Sequence, residues 1–313
     1  MKLPVKQLAL ILAGVMTLYG LAMYASGPAL SLRVIESLAS MSGLLALLLC
    51  LASYLLRGWR WRLWMAHFGR DLPPVQGLRL YLAGYTFTPT PGNVGEALRG
   101  MLLSRQPLSA GQSLAIYGAE RLADLVCLLL LCLPGVVWLL QGSLLLHQSG
   151  LVIGVLALLV CGLAVAIGLK RHQGSLMARW PWLSQAWQCL TQRSWVCLSL
   201  TLLAWGAQGI AVWLICQENR LPVALSQASG FYALAMVGGV ASMLPAGLGS
   251  MEAILTTLLM ALGSDLGSAT LITVGVRLLT LWLAVAVGAM ALLYSAAFAK
   301  DLSLTSFSLH EPS

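Results

Sequence analysis

Charge is what this sequence has least of. Asp, Glu, Lys and Arg together make up 9% of its 313 residues, where soluble domains carry about 25%. No polar stretch is long enough to build a separate soluble domain, so the chain reads as one domain, 1–313. The seven cysteines (50, 127, 132, 161, 189, 197 and 216) contain no CxxC pair, and most lie in apolar runs, where Cys acts as a small hydrophobe. The four histidines (67, 147, 172 and 310) are scattered, none near another or near a cysteine. No metal site, disulfide framework or cofactor is expected. No nucleophile–base pair is evident either, so the chain is not expected to be an enzyme. Basic residues outnumber acidic ones, for a net charge of +8, but they cluster in short stretches between apolar runs. That is the positive-inside pattern of a membrane protein, and nucleic acid is not an expected partner.

Apolar length is what the sequence has in abundance. Hydrophobic residues make up 59%, and runs of about 20 apolar residues, enough to cross a bilayer, recur from end to end. The first follows Lys2 and Lys6 as a signal peptide would, but it exceeds the length of a signal core and lacks a good cleavage site. It is expected to be a retained span. With the amino terminus inside, spans are expected at 8–26, 37–56, 111–140, 151–169, 195–217 and 267–298, with a short cytoplasmic tail at 299–313. The stretch after 37–56 holds Arg57, Arg60, Arg62 and Arg70 beside Trp59, Trp61 and Trp64. It reads as an inside loop with aromatic interface anchors. The stretch after 151–169, with Lys170, Arg171, Arg179 and Arg193, reads the same way, and 141–150, without Lys or Arg, reads as outside.

Two segments are broken. Residues 75–104 and 226–262 each place a Pro/Gly interruption, "TPTPGNVG" and "LPAGLGS", between two helical halves too short to cross alone. As re-entrant hairpins they leave twelve Lys/Arg on inside loops and tails against two, Arg33 and Arg220, outside. The segments also resemble each other. Gly84, Pro91 and Gly95 match Gly238, Pro245 and Gly249, while Glu96 and Arg121 match Glu252 and Arg277, with a spacing of 25 in both halves. The expected fold is therefore an all-α polytopic membrane protein: about six transmembrane helices plus two re-entrant hairpins in an inverted repeat. Repeat 1 covers about 75–140 and repeat 2 about 226–298, an arrangement used by secondary transporters.

Seven charges fall inside membrane-length segments: Glu96, Arg99, Glu120, Arg121, Asp124, Glu252 and Arg277. At a helix centre each costs about 2.5–3.5 kcal/mol, on the order of 20 kcal/mol together, more than a fold can spare. They must face protein, a wet cavity or an interface. Helical spacing puts Ser113, Tyr117, Glu120, Arg121 and Asp124 within about 100° of arc, and Thr270, Thr273, Arg277 and Thr280 within about 80°. Bland readings stand beside the functional one. Glu96 and Glu252 could cap their half-helices; Glu120, Arg121 and Asp124 could form a structural ion cluster; Arg99 and Arg105 could snorkel.

At these residues a family resemblance becomes visible. "TPGNVGEALRGMLLSR" with "ERLADLVCLLLL", and "LPAGLGSMEA" with "VRLLTLWLAVAVG", resemble the transmembrane-region family of lysylphosphatidylglycerol synthase/flippase proteins over roughly residues 5–298. The chain ends about 15 residues after its last span, so the resemblance implies the translocation half without lysyl transfer. It implies movement of an anionic phospholipid or polyprenyl-phosphate headgroup between leaflets of a bacterial cytoplasmic (inner) membrane, with both termini cytoplasmic. Pro91, Gly92, Asn93, Gly95, Pro245, Gly247 and Gly249 would present half-helix amino ends to a lipid phosphate. Arg121 and Arg277 would bind it, while Glu96 and Glu252 would hold those arginines or carry protons; Arg99, Glu120, Asp124 and Thr280 complete the expected pathway. The rival readings are a secondary transporter of a small anion, and a non-transporting scaffold for a lipid-modifying enzyme as partner.

Overall fold

A computed structural model of the chain describes residues 17, 28–101, 103, 107–141 and 179–298. The expected spans 8–26 and 151–169, the outer loop 142–150, the first part of the basic stretch (170–178) and the tail 299–313 fall largely or wholly outside these residues. The elements are α1 (Pro28–Ala39), α2 (Met41–His67), α3 (Pro74–Ala83), α4 (Ala110–Gln141), α5 (Pro181–Gln192), α6 (Ser194–Glu218), α7 (Leu225–Ala241), α8 (Ser250–Ala261), α9 (Leu266–Arg277) and α10 (Leu283–Ala297). No strand occurs among the described residues. Among the described residues four stretches are long and apolar enough to cross a membrane: Met41–His67, Ala110–Gln141, Ser194–Glu218 and Leu266–Ala297. The chain is an all-helical polytopic membrane protein.

Local chemistry sets the boundaries. Ser40 caps α2 by accepting from Gly43 N at 3.1 Å, and Gly69, with φ of 73°, closes it in a Schellman turn in which Arg70 N donates to Met65 O at 2.9 Å. Nothing between those signals breaks a helix. The expectation of a span ending at residue 56 is therefore corrected: α2 runs to His67, through the arginines read as a loop. Likewise the outside loop expected before it is largely α1, and the basic stretch before α6 contains α5. Trp182 and Ala186 of α5 pack beside Gly118 of α4. A reciprocal capping box starts α4, Ser109 N donating to Gln112 Oε1 and Gln112 N to Ser109 Oγ.

Both broken segments double back. After α3 the chain makes a 3-10 turn at Gly84–Phe87 and returns as a 3-10 helix over Pro91–Gly100, placing Arg99 against Gly84 and Phe87 against Gly95. The returning half is thus a narrower helix than the α-helix expected. The second segment turns at Pro245–Gly247, and α8 then lies along α7, with Met251 against Gly239 and Ile254 against Gly238. The two breaks pack against each other. Elsewhere α2 lies along α6 and α4 along α7. At Gly135 and Gly230 the backbones of α4 and α7 come so close that a Cβ on Gly230 would sit 2.6 Å from Gly135 N.

Candidate functional site

The charges are gathered into one network where α2, α4 and the first returning segment meet. Arg99 is 3% exposed. It donates to Glu96 Oε2 at 2.7 Å and to both oxygens of Glu120 at 3.1 and 3.2 Å, with its guanidinium 4.3 Å from the Tyr81 ring centre. Arg121 reaches Glu96 at 3.3 Å and Asp124 at 3.5 Å. Thr88 donates to the other oxygen of Glu96 at 2.9 Å. Buried charges need such complete pairing to persist. In the second segment Arg277 Nε donates to Glu252 at 2.7 Å, and its Nη2 donates to Ala246 O at 3.0 Å. Ala246 holds a left-handed φ of 51°, a conformation that costs a residue with a Cβ about 1–2 kcal/mol, so Arg277 ties down a strained turn. The 25-residue spacing thus joins Glu96 to Arg121 and Glu252 to Arg277.

Two arginines read as loop residues belong to the same interior. Arg60, fully buried, donates to Asp124 at 2.9 Å and to Thr201 at 2.5 Å, and it lies 3.8 Å from Glu120. Arg57 donates to Gln208 at 3.2 Å and stacks 4.0 Å from the Trp205 ring centre. Gln208 is in turn bonded to Tyr232 at 3.0 Å and Ser53 at 3.2 Å, and the Trp205 indole donates to Asp124 at 3.3 Å. In sequence these arginines stand among tryptophans, and the same pattern serves an interface belt. The signal that distinguishes them is helical register: Tyr54, Arg57, Trp61 and Trp64 share the buried face of α2, while Trp59 is half exposed.

Above this network lies a cavity of about 520 Å³, within the range of small-molecule sites. Its polar lining comes from Arg57, Glu96, Arg121, Asp124, Gln208 and Arg277 with Thr280 and Asn93. Its apolar lining includes Leu122, Leu125 and Leu128 of α4 and Met236, Val237 and Val240 of α7. Val240 and Met243 are more than half exposed on the outer surface, and Leu125 is 38% exposed. Its lining is therefore exposed between α4 and α7, at the end away from the Gly135–Gly230 contact. A widened π turn at Leu278–Trp282 lies on its floor, where Tyr54 donates its hydroxyl to the carbonyls of Leu279 and Thr280. Such turns often mark functional positions.

Of the residues expected from sequence, Asn93, Glu96, Arg121, Asp124, Arg277 and Thr280 line the cavity. Arg99 and Glu120 stand behind the wall as supports, and Arg99 is not a snorkelling residue. Ser113 also sits behind, donating to Ala97 O, and Thr273 bonds Thr256 at 3.0 Å. Gly95 packs under Phe87 and Thr90. Pro245, Gly247 and Gly249 shape the second turn, while the side chain at Pro91 and the surroundings of Gly92 fall outside what the structure describes. The amino ends of the half-helices are already engaged: Gly249 N donates to Glu252 at 2.8 Å and Gly95 N to Thr90 at 2.9 Å. Glu252 thus both caps α8 and holds Arg277. Among the described residues no group of three His, Cys, Asp or Glu is placed to hold a metal ion.

A polytopic helical protein with charged side chains lining an interior cavity defines the class. The chain belongs to the lysylphosphatidylglycerol synthase TM region family, whose model matches residues 7–288, and it is thus a membrane protein linked to lipid handling. No curated protein matches the sequence significantly.

Proposed function

We propose that this protein is a lipid translocase of the bacterial cytoplasmic membrane, moving an anionic phospholipid or polyprenyl-phosphate headgroup between leaflets. The observation that carries the reading is the mixed lining of the cavity, arginines together with apolar side chains of which Val240 and Met243 are more than half exposed. A lipid headgroup would enter sideways and meet Arg121 and Arg277 while its chains stay in the bilayer. A small soluble anion has no use for an open apolar wall of this kind, which disfavours the rival transporter. A scaffold has no use for arginines facing a cavity.

Inverted repeats supply the means of alternating access in this reading. The paired glutamates and arginines, the doubled-back segments and the meeting breaks support it. So does the packing of α10 on α3: Gly288 lies against Leu82 and Thr86, and Tyr294 under Arg79. The two helices therefore run antiparallel, so the start of α3 lies near the end of Leu266–Ala297. That stretch begins just after the second hairpin, which supports a reading with the two hairpin mouths at opposite ends of one span.

The test is reconstitution of the full chain in liposomes, with flipping of labelled anionic, zwitterionic and polyprenyl lipids followed by quenching of the outer leaflet. Wild type is expected to speed flipping of anionic lipid. Arg121→Ala and Arg277→Ala, reconstituted at equal levels, are expected to lose most of it. Near-normal flipping by both variants overturns the mechanism and favours the scaffold.

A further inference from the structure

The two breaks are held by unequal means. The first is fastened through buried Glu96, which takes Arg99 at 2.7 Å, Arg121 at 3.3 Å and Thr88 at 2.9 Å, and Arg99 is braced in turn by Glu120 at 3.1 Å. The second break, residues 242–249, bonds mostly within its own hairpin. Ser242 and Ser250 share a hydroxyl bond at 2.8 Å, Ser250 donates to Gly247 O at 3.0 Å, and Gly249 N donates to Glu252 at 2.8 Å. Among the described residues, the side chain that bonds it from outside the hairpin is Arg277, to Ala246 O at 3.0 Å and to Glu252 at 2.7 Å. Backbone strain gathers in the same place. Asn93, Met243 and Ala246 are three of the four non-glycine residues with left-handed φ among the described residues, and all three line the cavity. Asn adopts that conformation readily. Met243 and Ala246, at φ of 56° and 51°, do not. Such strain clusters at switch regions and persists only where the surroundings hold it. The outer side of this tip, Met243 and Leu244, is exposed.

We propose that the second break is a gate on the cavity, sprung by backbone strain and latched by Arg277. With the latch made, the tip packs against the first break, and Met243 and Ala246 form part of the cavity lining. With the latch broken, the tip swings away from the first break and Met243 and Ala246 relax into ordinary backbone conformations. The motion is confined to the tip, because the other end of α7 is fastened to α4 at the Gly135–Gly230 contact. The first break, held from α4 through Glu120 and Arg121, is the fixed side against which the gate closes. Exposure of the two equivalent arginines fits this division. The Arg121 side chain is 34% exposed and that of Arg277 3%, so opening uncovers a cation that the closed state conceals. The gate goes beyond the translocase reading and holds whatever molecule the cavity admits.

The test is a distance measurement on the full chain. Spin labels on Leu244→Cys, in the tip, and Leu133→Cys, on the exposed face of α4, would be placed in a background lacking the native cysteines. Their separation is read in detergent by pulsed electron paramagnetic resonance. The otherwise unaltered chain is expected to show one dominant distance. Arg277→Gln and Glu252→Gln are each expected to raise the ratio of displaced to docked tip about tenfold or more, the effect of losing a bond to a charged group. Should Arg277→Gln fail to fold, Glu252→Gln carries the test alone. Adding Ala246→Gly to either is expected to lower that ratio about fivefold or more, since glycine meets no penalty at this φ. A second pair at Leu133 and Leu225, the exposed start of α7, is expected to keep its distance in every variant. An unmoved tip in the latch variants overturns the gate, and so does equal spreading of the Leu133–Leu225 distance, which would mean general loosening. No return of the docked tip with Ala246→Gly overturns it as well. Flipping is measured on the same proteins: a tip that the latch controls, without any flipping, keeps the gate and overturns the translocase. Flipping with an immobile tip does the reverse.

Discussion

Glu96 and Glu252 occupy equivalent places in sequence, yet they carry different loads. Glu96 is 4% exposed and its Oε2 serves both Arg99 and Arg121. Glu252 is partly exposed and serves Arg277, which keeps a second bond to Ala246 O. Glu96→Gln is therefore expected to cost about 3–5 kcal/mol, the loss seen when one member of a buried ion pair is removed. Glu252→Gln is expected to cost about 1–2 kcal/mol, the range for a hydrogen bond to a charged group. Adding Arg121→Ala to Glu96→Gln should restore most of the stability, because Arg99 still has Glu120. Melting of the purified variants checks this, and equal losses from the two glutamates would refute it. The pairings themselves were legible, since the spacing of 25 recurs around each break. The role of Arg57 and Arg60 was not. An arginine–tryptophan run has one meaning at a membrane surface and another on the buried face of a continuing helix, and local composition is the same in both. Partners 64 to 151 residues away in sequence, Asp124, Thr201 and Gln208, decide between them.

Helix punctuation by proline and glycine made both hairpins readable, because a Pro removes a donor and a Gly admits backbone conformations closed to other residues. Gly247 needs both freedoms: its φ is 64°, and a Cβ there would meet Gly239 Cα at 3.0 Å. Missing punctuation was harder to read. The 57–67 stretch continues as helix because nothing stops it, and charge alone does not end a helix. The α4–α7 contact was likewise invisible, because two glycines in separate apolar runs carry no mark of facing each other. Its consequence is testable. Gly230→Ala drives a Cβ into the backbone of α4 at Gly135, at the closed end of the cavity, and is expected to cost about 1–3 kcal/mol as overpacking. Gly206→Ala is the control. It lies inside α6 with nothing within 4 Å of its Cβ position, and it should gain about 0.5–1 kcal/mol from helix propensity. Thermal melting in one detergent gives both values, and the same sign for both would contradict the close packing of α4 on α7.

For the molecule as a whole, the interior charges and the topology are one problem. A chain with 9% charge places nine charged side chains in or behind a single cavity, and it does so by bringing two doubled-back segments together at their breaks. Family membership and the helical polytopic class followed directly from the sequence. The direction in which each hairpin enters rests in sequence on loop-charge counting, which read Arg57 and Arg60 as loop residues although both are buried on α2. The packing of α10 on α3 supports the proposed inversion without any charge rule. It predicts that cysteines placed at Gln76 and Ser109, the two ends of the first doubled-back segment, react with an impermeant thiol reagent from one face of the membrane. Cysteines at Ser226 and Ser264, the ends of the second, should react from the other. The background would lack native cysteines; the six described ones are all buried, so replacement by Ala or Ser suits their sites. Labelling of Gln76 and Ser109 positions from opposite faces would make the first segment an ordinary span. Labelling of all four from one face would keep both hairpins but make them parallel. In either case Arg121 and Arg277 would no longer be offered to the two leaflets by equivalent elements of opposite orientation, and alternating access by exchange of the two repeats would lose its structural basis.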